Sequence, residues 1–293
     1  MARLGRDHEG NRPVSAATTL AKAPREVNPG RQKAGRVATR IGVVVALVLL
    51  WQLATSLNPS PFFPTPLAIL QRGQTLFFGG PAERLFMTDA LTVDTFGTLY
   101  RMFAGFLVGA TAGLLLGTAV GRSRAVREFS APIVEFLRSI PATATLPLFI
   151  IVLGGDDGMR VAFIAFAITW LVLINTAAGV SSVHRTSIEM GQIFRLSRAD
   201  ILRRIVIPAA MPKIFAGLRI AVTGALLLSV ASEFLLATNG IGYQLTATQT
   251  RFALLDMWAW IVLLALIGFL VNTLLEMLQD RLLRWDTLAR RAG

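Results

Sequence analysis

The chain has 293 residues, of which 54% are hydrophobic and 16% are charged, and its formal net charge is +12. Soluble domains average about 25% charged residues, so this chain has too few to cover the surface of a water-soluble fold. It has no cysteine and two histidines, which excludes a disulfide scaffold, a thiolate metal site and a cysteine nucleophile. The composition therefore predicts an integral membrane protein and gives no sign of a cysteine- or histidine-based metal site or of a cysteine nucleophile.

The first 40 residues contain nine lysines and arginines and three acidic residues, with no hydrophobic periodicity. This composition predicts a disordered basic tail over residues 1–40. The first apolar stretch begins only at Ile41, whereas a cleaved signal peptide has its apolar region near the start, so we expect a retained first span over 41–57. Four prolines in the following NPSPFFPTP stretch predict an extended loop.

Further along the chain, uncharged stretches of bilayer length recur. Between Arg138 and Asp156 the uncharged stretch is shorter and includes Pro141 and Pro147, so we expect this span to be kinked and preceded by an interfacial turn. The six spans predicted for this all-α protein are 41–57, 98–120, 133–154, 161–183, 214–236 and 257–278.

The charges divide unequally between the two sides of the predicted spans. One side carries 22 basic and eight acidic residues, a net charge of +14, and the other carries four basic and six acidic residues, a net charge of −2. Three arginines and three glutamates within the spans cancel, which returns the total of +12. The positive-inside rule then predicts that both termini lie in the cytoplasm. Because topology explains the basic excess, we expect a lipid bilayer and no nucleic acid as partner.

The second predicted span carries a glycine at every fourth position. Such positions fall on one slowly rotating helix face, where the lack of side chains lets a neighbouring helix approach closely. We expect this stripe to pack within one subunit, and a sliding surface or a subunit interface is the alternative. The glycines are Gly105, Gly109, Gly113, Gly117 and Gly121.

The segment 184–212 is the longest internal cytoplasmic loop, and its apolar and charged residues alternate with helical periodicity. Leu196 and Ser197 predict a break, with Ser197 capping a second helix. We therefore expect a helix, a turn and a second helix that ends at Pro208 and Pro212. Such an amphipathic segment either lies on lipid headgroups or docks in a groove of a partner protein.

The same segment resembles the cytoplasmic loop of ABC-importer membrane subunits, whose pattern is E-A-A, three residues, G, nine residues, I-x-L-P. Glu189 takes the first position, and Ile205 and Pro208 fall at the matching distances. The departures from the pattern are Met190 and Gly191 at the two alanines, Arg195 at the glycine and Ile207 at the leucine.

From about residue 61 to residue 285, the chain resembles the nitrate, sulfonate and taurine branch of these permeases. The resemblance lies in PSPFFPTP, VEFLRSIPATATLPLFIIVLG and SEFLLATNGIGY. It implies a type I ABC importer-like fold and a permease subunit in the cell membrane that moves a small anionic solute by alternating access. The ATPase-coupling residues that it implies are Glu189, Met190, Gly191, Arg195, Leu196, Ser197, Ile205 and Pro208.

The resemblance also implies three partners: a second permease subunit forming a homodimer, cytoplasmic ATP-binding subunits, and an extracytoplasmic solute-binding protein. The chain lacks a G-x-x-x-x-G-K-[ST] phosphate loop, so we expect it to bind no cofactor itself, with ATP and magnesium held by the partner. A secondary transporter or channel is the alternative, but it gives no reason for the patterned loop. An intramembrane protease would need aspartate, histidine or metal ligands in the spans, and no predicted span contains Asp or His.

Six ionisable residues lie within or at the edges of the predicted spans, where an unpaired charge costs about 2.5 to 3.5 kcal/mol. Helix depth suggests that Arg101 pairs with Glu233 in the outer half of the membrane and that Arg219 pairs with Glu276 in the inner half. We expect a structural ion pair at Arg101 and Glu233, and a place on the translocation path is the alternative. The other two ionisable residues, Glu135 and Arg138, lie three positions apart on one helix.

Overall fold

The computed structural model describes the backbone of residues 29–283 and the side chains of Thr39 and of residues 42–283. The chain divides into two units, residues 1–50 and residues 51–293. The predicted basic tail lies outside the described residues as far as residue 28. Residues 29–40, which were expected to be disordered, are helical in the structure, since the first helix begins at Pro29 and not at Ile41. Proline suits the first position of a helix, and Arg31–Ala34 are good helix formers, whereas the glycines on either side of them are poor ones.

The described fold is helical and has short connections between its elements. The helices are α1 (Pro29–Leu57), α2 (Pro66–Phe78), α3 (Phe96–Arg122), α4 (Arg124–Ser139), α5 (Ala142–Leu153), α6 (Asp157–Ser181), α7 (Arg185–Ile193), α8 (Arg198–Ile201), α9 (Ile207–Glu233), α10 (Ile241–Thr250) and α11 (Leu254–Leu282). A 3₁₀ turn covers Ala82–Arg84, and two π-helical turns cover Ala90–Thr95 and Leu202–Val206.

Four of the described helical segments are long and apolar enough to cross a membrane. They correspond to the predicted second, fourth, fifth and sixth spans. The third corresponds to the pair α4 and α5, which would make one further span broken by a 90° bend. The first corresponds to the apolar helix Gly42–Leu57, which is shorter than the others. The four long segments are Ala90–Arg122, Asp157–Ser181, Arg198–Glu233 and Leu254–Leu282.

The fifth span differs from its prediction at its inner end. We expected the second loop helix to end at Pro208 and Pro212, but helix is continuous over Arg198–Glu233. A proline has no N–H to donate, and its ring clashes with the carbonyl four residues earlier. The π turn Leu202–Val206 ends two residues before Pro208 and changes the local hydrogen-bond spacing, since the N–H of Ile207 donates to the carbonyl of Leu202 five residues back. This wider turn lets the helix continue past the proline.

The core lies where α3, α6 and α9 pack together, around residues such as Met102, Phe163, Val172 and Ala221. The glycine stripe of α3 faces α6 along its whole length. A Cβ atom added at any of its five glycines would lie 2.6 to 2.7 Å from the nearest atom of α6. The two backbones therefore touch, and the stripe serves packing within this chain, whereas a sliding surface would need a looser fit.

Candidate coupling loop and polar network

The predicted coupling loop, residues 184–212, contains helix α7, a tight turn and helix α8. The N–H groups of Arg195 and Leu196 close the end of α7 by donating to the carbonyls of Gln192 and Gly191, at 2.9 and 3.0 Å. Ser197 caps α8 by accepting a hydrogen bond from the N–H of Asp200 at 3.1 Å. The turn thus lies where the sequence places it.

Arg195 has φ of +56°, in the left-handed region that favours glycine. Residues with a Cβ atom are strained there, by about 1 to 2 kcal/mol. A helix commonly ends on a glycine in this conformation because glycine has no Cβ atom. This explains in physical terms why the family pattern has glycine at a position where the present chain has an exposed arginine.

Gly191 fixes α7 against the segment that follows it. It is buried, and a Cβ atom there would lie 2.8 Å from Ile205 Cδ1 and 3.1 Å from Ile201 Cγ1. Leu196 packs on the same apolar cluster, which also contains Val206. The helix and the start of the long span thus form one packed unit.

The opposite face of α7 is exposed and apolar at its end. The exposed fractions are 53% for Met190, 77% for Ile193 and 75% for Phe194. Glu189 is exposed beside them, and its Oε1 accepts a hydrogen bond from Arg185 Nε at 2.8 Å. Large exposed apolar patches rimmed by charge mark interaction sites.

At the end of α9 away from this loop, Glu233 is the centre of a buried polar network, named the outer network after the side that the charge distribution predicts for it. Only 1% of its surface is exposed, and its Oε1 accepts a hydrogen bond from Arg101 Nη1 at 2.8 Å. Its Oε2 accepts from the Thr98 hydroxyl and from the N–H of Gly242, both at 2.9 Å. Arg101 Nε donates in addition to Asp157 Oδ1 at 2.7 Å. Both carboxylate oxygens of Glu233 thus accept hydrogen bonds from protein groups.

The network also holds the loop between α9 and α10. Arg101 donates to the carbonyl and side-chain oxygens of Asn239, and Asp94 accepts from the N–H of Gly240 at 2.9 Å and from Gln244 Nε2 at 2.8 Å. Gly240 has φ of +117°, and a Cβ atom there would lie 2.5 Å from the carboxylate of Glu233. Asn239 and Gly240, the NG pair of the SEFLLATNGIGY stretch, thus cover the buried carboxylate of Glu233.

Several members of this network were not among the residues singled out from the sequence. The charge count from the sequence assigns Asp94 and Asp157 to the outer loops. In the structure, both lie in helical segments that are long and apolar enough to span a membrane. The helical segment that includes the second predicted span begins at Ala90 rather than at residue 98, and the segment that includes the fourth begins at Asp157 rather than at residue 161. The spacing of Asp94, Thr98 and Arg101 is the signal that could have found them, since it places all three on one helix face.

The inner pair is more open. Arg219 Nη1 lies 3.1 Å from Glu276 Oε1, and Arg219 also donates to Gln279 Oε1 at 3.2 Å. The side chains of Arg219 and Glu276 are 38% and 46% exposed. On α4, Arg138 forms two hydrogen bonds with Glu135, at 2.8 and 2.5 Å, and both side chains are exposed. All three pairs therefore lie within ion-pair distance. The pair of Arg101 and Glu233 is buried, and the other two pairs are exposed.

Within residues 29–283, the structure has no group of three or more histidine, aspartate or glutamate side chains that could hold a metal ion. Asp94 and Asp157, the two aspartates of the outer network, are both held by hydrogen bonds to other groups.

Comparison with known proteins decides the family. Residues 109–285 match the family described as "Binding-protein-dependent transport system inner membrane component". The chain belongs to this family. It is therefore an ABC importer permease, a multi-pass protein of the inner membrane.

Individual relatives place this permease in the nitrate, sulfonate and taurine branch. It is 33% identical to the taurine transport system permease protein TauC of Escherichia coli over 252 residues, which cover 85% of this chain and 90% of the relative. It is 26% identical to the nitrate import permease protein NrtB of Synechocystis over 268 residues, covering 91% and 97%. Its branch matches that expected from the sequence motifs.

A solved structure of similar fold is the MetNI methionine ABC transporter in inward-facing conformations. The TM-score is 0.55 at 18% identity, and the match covers 67% of this permease and 95% of that chain. This similarity supports the type I ABC importer permease fold for the present chain.

Proposed function

We propose that this permease is the membrane-spanning subunit of an ATP-driven importer that moves a small anionic solute inward by alternating access. In this proposal the chain has six spans with both termini in the cytoplasm and pairs with a second copy of itself. Cytoplasmic ATP-binding subunits hold ATP and magnesium and hydrolyse the ATP, and an extracytoplasmic binding protein delivers the solute. The relatives named for taurine and nitrate support an oxyanion or a sulfonate as the solute class.

The observation that carries the proposal is the exposed apolar end of α7 on a rigidly packed loop. Met190, Ile193 and Phe194 are exposed, while Gly191 packs tightly against Ile205. An amphipathic helix with apolar anchors at this spacing fits a groove of a partner protein. A loop that only rested on lipid headgroups would not need such tight packing behind it.

The loop is joined directly to the outer network by one helix. Residues Arg198–Glu233 form a continuous 36-residue segment, about 54 Å long at 1.5 Å per residue. Its inner end carries the loop packing, and its outer end carries Glu233. A displacement of α7 by an ATP-binding subunit would therefore reach the outer side through a single element.

The test is copurification and transport with the intact complex. We expect Phe194→Asp to reduce copurification of the ATP-binding subunit and to lower ATP-driven uptake of taurine or nitrate into vesicles, because a charge replaces an apolar anchor. Phe252→Asp is the matched control, since Phe252 is 79% exposed on the other side of the protein, and it should leave copurification unchanged. Uptake by the permease alone, driven by a proton gradient, would establish the secondary-transporter alternative instead.

A further inference from the structure

Helix α1 extends well beyond its apolar part. The apolar part is Gly42–Leu57, about 24 Å long at 1.5 Å per residue. Residues 42–50 are uncharged and exposed, as expected of a helix surrounded by lipid. Because the helix begins at Pro29, a further length of about 20 Å precedes Gly42. This part, residues 29–41, is named the basic extension.

The basic extension carries four positive charges and no negative charge. The cationic residues are Arg31, Lys33, Arg36 and Arg40, and the sequence has no acidic residue from position 27 to position 82. Positions 33, 36 and 40 fall on one side of the helix, because they are three and four residues apart. Like charges at these spacings repel each other and weaken a helix. The helix therefore supplies no counter-ion of its own.

Other charged helices of this chain have an acidic partner within the helix. In α4, Arg124 lies 2.7 Å from Glu128, and in α7, Arg185 lies 2.8 Å from Glu189. In both pairs the acidic residue follows four positions later, so one turn of helix carries both charges. The sequence of α1 has no acidic residue to provide this arrangement. The negative charge that balances the basic extension must therefore come from outside the helix.

The membrane surface is the source of negative charge nearest to the apolar part of α1. A lipid headgroup layer is about 5 to 8 Å thick on each side of a hydrocarbon core of about 30 Å. Positions 40 and 36 lie about 3 and 9 Å before Gly42 along the helix axis. The apolar part is shorter than the hydrocarbon core, and such a mismatch draws flanking basic residues towards the headgroups. Both positions therefore lie near the depth of the lipid phosphates.

We propose that the basic extension of α1 binds the headgroups of anionic phospholipids, with Arg36 and Arg40 as the main contacts. The ligand is a membrane lipid with a net negative headgroup, such as phosphatidylglycerol. A cluster of four or more basic residues directly beside a membrane helix is typical of segments that recognise anionic lipids. The lipid site is independent of the transported solute and of ATP hydrolysis by a partner.

Fluorescence quenching in reconstituted vesicles measures which lipid lies beside the basic extension. The chain has no cysteine, so Val37→Cys in the full chain gives a single site for a bimane fluorophore, on the same side of the helix as positions 33 and 40. The quenchers are phosphatidylglycerol and phosphatidylcholine with a nitroxide on the same acyl carbon near the headgroup. Each is added in trace amount to vesicles of phosphatidylcholine. We expect phosphatidylglycerol to quench about fivefold more, the enrichment that one basic residue near an anionic lipid supplies.

Salt and two double variants connect the preference to the named charges. A salt concentration of about 0.5 M should bring the quenching ratio close to one, because salt screens the charges. Arg36→Gln with Arg40→Gln should do the same at low salt. Arg122→Gln with Arg124→Gln is the matched control, since it removes two charges from exposed positions in another part of the chain and should leave the ratio unchanged. The salt dependence needs no charge substitution, so it decides the question even if a double variant does not fold.

Equal quenching by the two lipids, or a preference that persists in about 0.5 M salt, would overturn the lipid site. Loss of the preference in inorganic phosphate at constant ionic strength would refute it in favour of a site for a soluble anion. Loss of the preference on assembly with the ATP-binding subunits would refute it in favour of an acidic protein surface. A preference that remains under both conditions supports the lipid site. None of these measurements uses ATP-driven uptake, so the lipid site and the importer function can fail separately.

Discussion

Replacement of Glu233 by leucine should destabilise the permease far more than replacement of Glu276 by leucine, although each carboxylate pairs with an arginine. Arg101 and Glu233 have side chains 3% and 0% exposed, so Glu233→Leu removes the buried carboxylate partner of a buried guanidinium and leaves it only the half-exposed Asp157. Loss of one partner of a buried pair costs about 3 to 5 kcal/mol. Glu276→Leu affects a half-exposed pair, and such pairs contribute about 0 to 1 kcal/mol.

The measurement is thermal unfolding of the purified permease in detergent, compared between the two variants. A loss of 3 kcal/mol lowers the midpoint of a chain of this size by about 6 °C or more, and a loss below 1 kcal/mol lowers it by less than about 4 °C. Equal shifts for Glu233→Leu and Glu276→Leu would refute the argument, because they would mean that burial does not decide the energy.

Exchange of the two charges separates the pairs further. Arg101→Glu with Glu233→Arg should not restore stability, since the N–H of Gly242 would then face a cation and Asp157 would face an anion. Arg219→Glu with Glu276→Arg should restore it, because the amide of Gln279 beside that pair can donate or accept. Restored thermal stability after the exchange at Arg101 and Glu233 would contradict this. It would mean that the neighbouring groups do not determine which of the two positions must carry the positive charge.

The remaining predictions concern the loop, the glycine stripe and the topology. Arg195→Gly should relieve about 1 kcal/mol of left-handed strain and slow amide hydrogen exchange in α7, and faster exchange would contradict this. Gly113→Ala should destabilise by about 1 to 3 kcal/mol in thermal unfolding, because its Cβ atom would lie 2.7 Å from the carbonyl oxygen of Thr169, whereas Gly42→Ala, with open space around it, should not. Glu83→Cys should react with an impermeant maleimide in intact cells, and Thr186→Cys should react only in inside-out vesicles. The reverse pattern would invert the proposed topology.

Much of the coupling loop can be predicted from its sequence because its signals are local. Ser197 is a good helix cap, and the helix turn lies directly before it. The family glycine position correctly marks the left-handed residue, although this chain has Arg195 there. The continuation of the helix through Pro208 could not be predicted. Proline usually ends a helix, but here a π turn precedes it, and the sequence carries no recognisable signal for that turn.

The outer network is predictable only in part because it joins distant segments. Depth along the helices is enough to suggest the partner of Glu233, since both helical segments are long enough to cross a membrane. It does not reveal Asp94 or Asn239, because their role depends on how a loop closes after α9. Charge counting treats Asp94 as a solvated loop residue. The helix begins at Ala90, eight residues before the predicted start of the span, and Asp94 therefore lies on its buried face.

These contacts divide the membrane domain into a rigid part and a less restrained part. The stripe at Gly113 joins α3 to α6 backbone to backbone, and the network at Glu233 joins α3 to α9, so these three helices must move together. The bent pair α4 and α5 has no comparable lock: α4 has no buried residue, and Leu146 is the buried residue of α5. A cavity of about 410 Å³ beside Trp170 lies between the bent pair and two helices of the rigid group. Movement of α4 and α5 against that group would therefore change the size of the cavity, whereas movement of α7 with the rigid group would leave the outer network intact.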